Sequence, residues 1–259
     1  MTTELLTERH GATLLITLSG PATRNALSTQ VFAAGIETLN MAESNPDVGA
    51  VVLTGAGGHF CSGADLQHFL KNKHNLSAQG AQIDAFNQWI EALRSFPKPV
   101  IAAVCGPAVG VGTTMLLHCD LIYAGDNAAF SLPFVNLGVC PEAGSSLLLQ
   151  NLVGYPRAAE KLMLGEPFYA EEALEVGLIN RILPPHEVNG YAQAQAAKLA
   201  AKPVASLRIT KALMKKQHPH LADVMMEEAK HFSDLIRGPA AKEAMSAVME
   251  KRRPDFSKC

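Results

Sequence analysis

Between Val100 and Asp120 the chain reads Val-Ile-Ala-Ala-Val-Cys-Gly-Pro-Ala-Val-Gly-Val-Gly-Thr-Thr-Met-Leu-Leu-His-Cys-Asp. Val100 to Val104 are apolar without alternation, the pattern of a strand covered on both faces. Gly106, Pro107, Gly110 and Gly112 break that strand and bring bare backbone to one place. From Thr113 a helix is predicted, with Met115, Leu116 and Leu117 turned inward. A strand that ends in a glycine turn and opens a helix presents free N–H groups at the junction. Such a junction suits an anion, or an oxygen that becomes anionic during a reaction.

Upstream the design recurs. Ala50-Val-Val-Leu-Thr54 reads as a buried strand, Gly55, Gly57 and Gly58 as its turn, and His59-Phe-Cys-Ser-Gly-Ala-Asp-Leu66 as the entry to a helical run. Two such turns supply two N–H donors to one oxygen, which is the requirement of an oxyanion hole.

Working outward, Ala12 to Leu18 is a strand closed by Gly20-Pro21. Arg24-Asn-Ala-Leu27 is a loop leading to Ser28, an N-cap residue. Val31, Phe32, Ile36 and Leu39 mark one face of a helix ending near Asn45-Pro46. Lys71 to Gly80 is polar and reads as a loop. Ile83, Phe86, Ile90 and Leu93 follow at helical spacing, and Pro97 and Pro99 stop that helix. Leu121 to Ala124 and Ala129 to Leu132 are short strands, and Gly138 to Ser146 opens a helix over Leu147 to Val153. Arg157 to Leu164 and Ala170 to Val176 are helical, and Ile179 to Leu183 is a strand ended by Pro184-Pro185. Tyr191 to Ala201, Val204 to Lys216, Leu221 to Arg237 and Ala240 to Arg252 then read as helices. Strand, turn and helix thus recur before an all-helical tail, which predicts an α/β fold of wound or stacked units. The composition shifts near Lys198 to Pro203, dividing a core (1–197) from a helical region (198–259).

The 259 residues carry a net charge of -2, which argues against a general nucleic-acid binder. The five scattered cysteines lack zinc-finger spacing and read as free thiols of a reducing, cytoplasmic compartment. Met1 to His10 carries Glu4, Glu8 and Arg9 and reads as neither a signal peptide nor a membrane anchor. A dinucleotide fingerprint fails because Met115 stands where its last glycine or alanine belongs. Ser145 lies in Ala-Gly-Ser-Ser rather than in a nucleophile elbow. The nine histidines form no ligand pattern, so no metal is expected, and His59 and His118 read as structural.

Glu142 admits two readings. Following Pro141, it falls in the first turn of a helix, where a carboxylate merely complements the dipole. Its flanks Val135, Leu137, Val139 and Leu147 are apolar, however, and a carboxyl desolvated beside a glycine-rich cavity can be tuned as a general base. Asp65 and Asp120 read as caps or structural partners. Lys211, Lys215 and Lys216 read as a solvated face, or as a group meeting phosphates.

Together, Arg24 to Leu27, Phe60 to Leu66, Gly106 to Asp120 and Pro141-Glu-Ala-Gly-Ser-Ser146 resemble the crotonase superfamily, the enoyl-CoA hydratases and isomerases. Each motif is weak alone, and the four in this order are specific. The resemblance covers nearly the whole chain, least firmly the tail. It implies a spiral of repeated ββα units, with the helical region capping the site and joining the chain into a homotrimer or a dimer of trimers. It implies an acyl-CoA ligand, in fatty acid metabolism, with coenzyme A as part of the substrate and no separate cofactor. The thioester oxygen would meet the N–H groups of Ala64 and Val111, with Arg24, Ala26, Ser62, Gly63, Ala64, Asp65, Leu66, Gly110 and Val111 lining the substrate site. Position 111 is commonly glycine in the hydratases, so the valine side chain must turn away from the acyl group.

One departure bears on the reaction. The two glutamates of the hydratases fall by spacing at Thr114 and Phe134, and hydration is hard without them. Glu142 matches instead the glutamate of one group of Δ3,Δ2-enoyl-CoA isomerases, in which one carboxylate suffices. The alternatives are hydration or another crotonase-type reaction, and a non-catalytic acyl-CoA or RNA binder. The lack of aromatic and basic interleaving disfavours RNA.

Overall fold

The structure, a computed structural model, describes residues 2–65, 76–216 and 218–259. Strand β1 (Glu4–His10) turns back at Gly11 and pairs antiparallel with β2 (Thr13–Ser19). Helix α1 (Thr29–Ser44) starts where the Ser28 side chain accepts from the Val31 N–H, and it buries Val31, Phe32 and Leu39. Next come β3 (Ala50–Gly55), α2 (Leu76–Ser95), β4 (Val100–Val104), β5 (Pro107–Val109) and α3 (Val111–Thr114). They are followed by β6 (Leu121–Gly125), β7 (Ala129–Ser131), α4 (Ser145–Val153), α5 (Tyr155–Ala159), β8 (Phe168–Tyr169), α6 (Ala170–Glu175) and β9 (Arg181–Leu183). Helices α7 (Pro185–Ala200), α8 (Val204–Lys215), α9 (Leu221–Leu235) and α10 (Pro239–Met249) complete the chain.

The strands form a six-stranded sheet in the order β1-β2-β3-β4-β6-β9 and a smaller one, β5-β7-β8. From β2 to β9 the large sheet is parallel. The unbroken apolar run of β4 has its reason here. Val100, Ala102 and Val104 face the main core with Val51 and Leu53, whereas Ile101 and Ala103 face a second core with Val52. That second core is closed by α7 through Val188, Ala192 and Ala196, four residues apart on one helix face. Each turn of the spiral sends a strand to the large sheet and a shorter segment to the small one. Cys61 bridges to Ala108 of β5, and β5 pairs parallel with β7.

Several elements differ from expectation. Residues 4–10 form an edge strand that is largely exposed, so no buried face gave it an alternating pattern. Pro107 to Val109 is a strand rather than part of a turn, and Gly110 is the N-cap of a helix that begins at Val111. Leu76 to Gly80 belongs to α2, not to a loop. The rest of that expected loop, like the helical entry and substrate contact placed at Leu66, lies outside the described residues. Helix α7 begins at Pro185, six residues before the expected Tyr191, because proline is well suited to the first helical position. The lysines of α8 are not all solvated. Lys211 Nζ is buried, 2.6 Å from Asp120 Oδ2, and donates to the Lys98 carbonyl oxygen. Lys215 donates to the carbonyl oxygens of Arg94 and His118, and Lys216 is exposed. Asp120 also accepts from the Val100 N–H, so this ion pair pins α8 to the start of β4. None of the helices among the described residues is long and apolar enough to cross a membrane.

The turn between β4 and β5 depends on Gly106, whose φ is +67° and whose Cβ, if present, would collide with the Gly58 carbonyl oxygen. Gly106→Ala is expected to cost roughly 2–4 kcal/mol of stability, from left-handed strain and a rigid backbone clash, measured by urea unfolding.

Candidate active site

Three segments meet at the ends of β3 and β4. In the first, Arg24 and Asn25 take left-handed conformations with φ of 52° and 59°. The Asn25 side chain, fully buried, accepts from the Gly20 N–H and donates to the carbonyl oxygens of Ala56, His59 and Phe60. That amide ties the loop before α1 to the glycine turn after β3. In the second segment, Ser62 donates its N–H to the Arg24 carbonyl oxygen and its hydroxyl to that of Thr23. Leu27 then bridges to Ala64 in parallel register, through Leu27 N–H to Gly63 O and Asp65 N–H to Leu27 O. In such a bridge the N–H of Ala64 itself points away from Leu27. In the third, Val109 donates to the Cys61 carbonyl oxygen, and Gly112 packs so tightly on Cys61 that a Cβ would lie 2.6 Å from its oxygen. Val111 is the first residue of α3, where an N–H has no partner inside the helix. The structure thus brings Arg24, Ala26, Ser62, Gly63, Ala64, Asp65, Gly110 and Val111 into adjoining segments. The Val111 side chain is buried in the main core and is not among the described residues that line the cavity.

Glu142 lies on a turn, not in the first turn of a helix. Ala143 and Gly144 after it have φ of 59° and 70°, and α4 begins only at Ser145. The dipole reading of this carboxyl therefore fails. Two residues hold the turn from its two sides. The His118 ring Nε2 donates to the Ala143 carbonyl oxygen at 2.8 Å, and burial pushes its pKa down to about 4, so the imidazole stays neutral. Glu228 of α9 accepts from the Gly144 N–H at 2.6 Å and from both the N–H and hydroxyl of Ser146. Those donors lie at the start of α4, where free N–H groups and the helix dipole favour an anion. On the turn so held, Glu142 is 9% exposed and its carboxyl accepts from the Thr114 hydroxyl at 3.2 Å. Burial raises its pKa to about 8; the Thr114 hydrogen bond opposes the rise, and the Glu228 charge adds to it.

Glu142 and Ala64 share one cavity of about 40 Å³, whose walls come from α1, α2 and α9 and include Phe32, Ile83, Phe86 and Phe232. Glu142 is the one carboxylate among the described residues that line it. Thr114, where the resemblance would place a first glutamate, is fully buried against Glu142, and Phe134 is packed in an apolar cluster with Leu132 and Met245. Sequence reasoning missed Glu228, because on α9 it reads as one more acid in Glu227-Glu228. It lies one helical turn from Val224 and Phe232, at i±4, and that apolar spacing was the available signal.

A model of the enoyl-CoA hydratase/isomerase family matches residues 8–258. The chain is 34% identical over 254 residues to 2,3-dehydroadipyl-CoA hydratase of Escherichia coli K12, covering 98% of each chain. It is 35% identical over 231 residues to enoyl-CoA delta isomerase 2 of Rattus norvegicus, covering 86% of this chain and 57% of that one. The crystal structure of an enoyl-CoA hydratase/isomerase from Pseudoalteromonas atlantica T6c superposes with a TM-score of 0.90 at 32% identity, covering 98% of this chain and 99% of that one. The chain therefore belongs to the enoyl-CoA hydratase/isomerase family. It is an enzyme of the crotonase superfamily, and its chemistry is an acyl-CoA reaction.

Glu228→Ala strands the buried Gly144 N–H and the part-buried Ser146 N–H at the start of α4. It is expected to lower stability by roughly 2–4 kcal/mol, read from the urea midpoint at constant m-value.

Proposed function

We propose that the enzyme is a Δ3,Δ2-enoyl-CoA isomerase that moves a double bond with a single carboxylate. What carries this reading is Glu142, the one carboxylate on the described cavity wall, desolvated and hydrogen-bonded at the position of a missing hydratase glutamate. In the reaction the ionised Glu142 takes a proton from C2 of a 3-enoyl-CoA. The electron pair moves onto the thioester oxygen to give a dienolate, held by the N–H groups of Ala64 and Val111. Glu142 returns the proton at C4, the double bond settles between C2 and C3, and the carboxylate is regenerated. Each N–H is worth about 3–4 kcal/mol of barrier in comparable oxyanion holes. The exposed Arg24 and the loop through Ser62 and Asp65 would serve the CoA portion. We also propose a cytoplasmic homotrimer or dimer of trimers, in which Ile209, Leu213 and Met214, apolar and exposed on α8, are covered by another copy.

Hydration has support of its own in the hydratase relative from Escherichia coli. A paired assay separates the two: conversion of 3-enoyl-CoA against addition of water to 2-enoyl-CoA. Isomerisation is expected to dominate, and faster hydration overturns the proposal. Glu142→Gln is expected to lower isomerase kcat by roughly 10²- to 10⁴-fold. Full turnover in that variant excludes Glu142 as the base.

The pH profile follows from the raised pKa of Glu142. Only the ionised carboxyl accepts a proton, so kcat/KM is expected to climb about tenfold per unit below pH 8 and to level above it. Glu228→Gln removes a negative charge that raises the Glu142 pKa, and its midpoint is expected to move to lower pH. An unmoved midpoint shows that the two carboxyls do not interact.

A further inference from the structure

The cavity contains a polar group that the proposed reaction leaves unused. Gln82 of α2 lines it and is 1% exposed, yet among the described residues neither its amide nitrogen nor its amide oxygen has a hydrogen-bond partner. Buried amides go unpaired at a substantial cost, so natural structures seldom keep one without a use. Around it the lining is mostly hydrocarbon: Phe32, Ile83, Phe86, Met225 and Phe232. A purely aliphatic acyl chain here would leave the amide unpaired for the whole life of the complex. A buried site built to hydrogen-bond a substrate group rejects the analogue that lacks it, because its own polar atoms are then stranded.

The charge of the missing partner can also be deduced. Among the described lining residues there is no lysine, arginine or histidine, and Glu142 is already present. Among those described residues a carboxylate tail would find no counter-ion, and it would add a second negative charge beside Glu142, which is unfavourable. The carboxamide offers a donor and an acceptor together, and a hydroxyl matches both.

We propose that Gln82 is a specificity residue, and that the enzyme takes CoA thioesters whose acyl chain carries an uncharged hydroxyl held by the Gln82 carboxamide. This rests on the reading of the cavity as an acyl-CoA site and adds the class of acyl group to it. Gln82 takes no part in moving the proton.

Binding of saturated, unreactive thioesters to the full chain tests the inference apart from the reaction. Titration calorimetry would compare hexanoyl-CoA with its 4-, 5- and 6-hydroxy derivatives. At least one hydroxylated ligand is expected to bind about tenfold more tightly than hexanoyl-CoA to the native enzyme. In Gln82→Leu and Gln82→Met the preference is expected to vanish or reverse. Both variants are also expected to melt at or above the native temperature without ligand, since each removes a stranded amide. The inference is overturned if hexanoyl-CoA binds as well as every hydroxylated ligand, if the variants keep the native preference, or if they melt well below the native enzyme. Discrimination in binding without turnover of any 3-enoyl-CoA refutes the isomerase assignment alone. Turnover without discrimination refutes the role of Gln82 alone.

Discussion

The site depends on one carboxylate that does not enter the cavity. Glu228 seats its two oxygens on the Gly144 N–H and on the N–H and hydroxyl of Ser146, and so joins α9 to the turn that carries Glu142. A turn with two successive left-handed residues, one of them an alanine, has little preference for that shape on its own. His118 on the Ala143 carbonyl and Glu228 on the following N–H groups supply what the local sequence lacks. The two anchors come from opposite parts of the chain, one from the turn after α3 and one from the tail. A backbone conformation that is unfavourable alone persists because tertiary contacts over-determine it.

The same arrangement sets the protonation of Glu142. Glu142 lies between a hydroxyl that stabilises its anion and hydrocarbon that does not, and desolvation wins. A carboxyl with a pKa near neutrality is a stronger base once ionised than one at the ordinary value, and a useful fraction remains ionised at neutral pH. The cost of burying it falls on the fold, and the main core bears it. Val111 and Cys61 are packed there, and burial pushes the Cys61 thiol up to about 12, leaving it unreactive beside the glutamate.

Much of this architecture was legible in the chain. Val100 to Val104 announced a strand buried on both faces, and the structure divides those five side chains between two cores. Ser28 and Pro97 marked helix ends as their chemistry requires. What stayed hidden is long-range. The exposed strand Glu4–His10 is held by backbone pairing that no side-chain pattern reports. Lys211 looks like a surface residue until Asp120, ninety-one positions away, is brought to it. Glu142 was legible as an acid in apolar company, but the two left-handed residues after it were not. Alanine at position 143 gives no hint of positive φ, and only Gly144 does.

The position of α9 links these points. Met225, Ala229 and Phe232 present one face of this helix to the cavity, while Glu228, between them in sequence, turns to the Glu142 turn. One rigid helix therefore fixes both the wall against which an acyl chain would lie and the placement of Glu142. A shift of α9 that widened the cavity would also draw the Glu228 oxygens from Gly144 and Ser146 and loosen the turn. Opposite it stands α2, whose Gln82 and Phe86 are one helical turn apart and line the same space. Space for the acyl group and the orientation of the carboxyl are consequently not independent variables. A substitution that enlarges the wall at Met225 or Phe232 would disturb the Glu142 turn through the same helix, so the shape of the cavity and the orientation of this carboxyl change together.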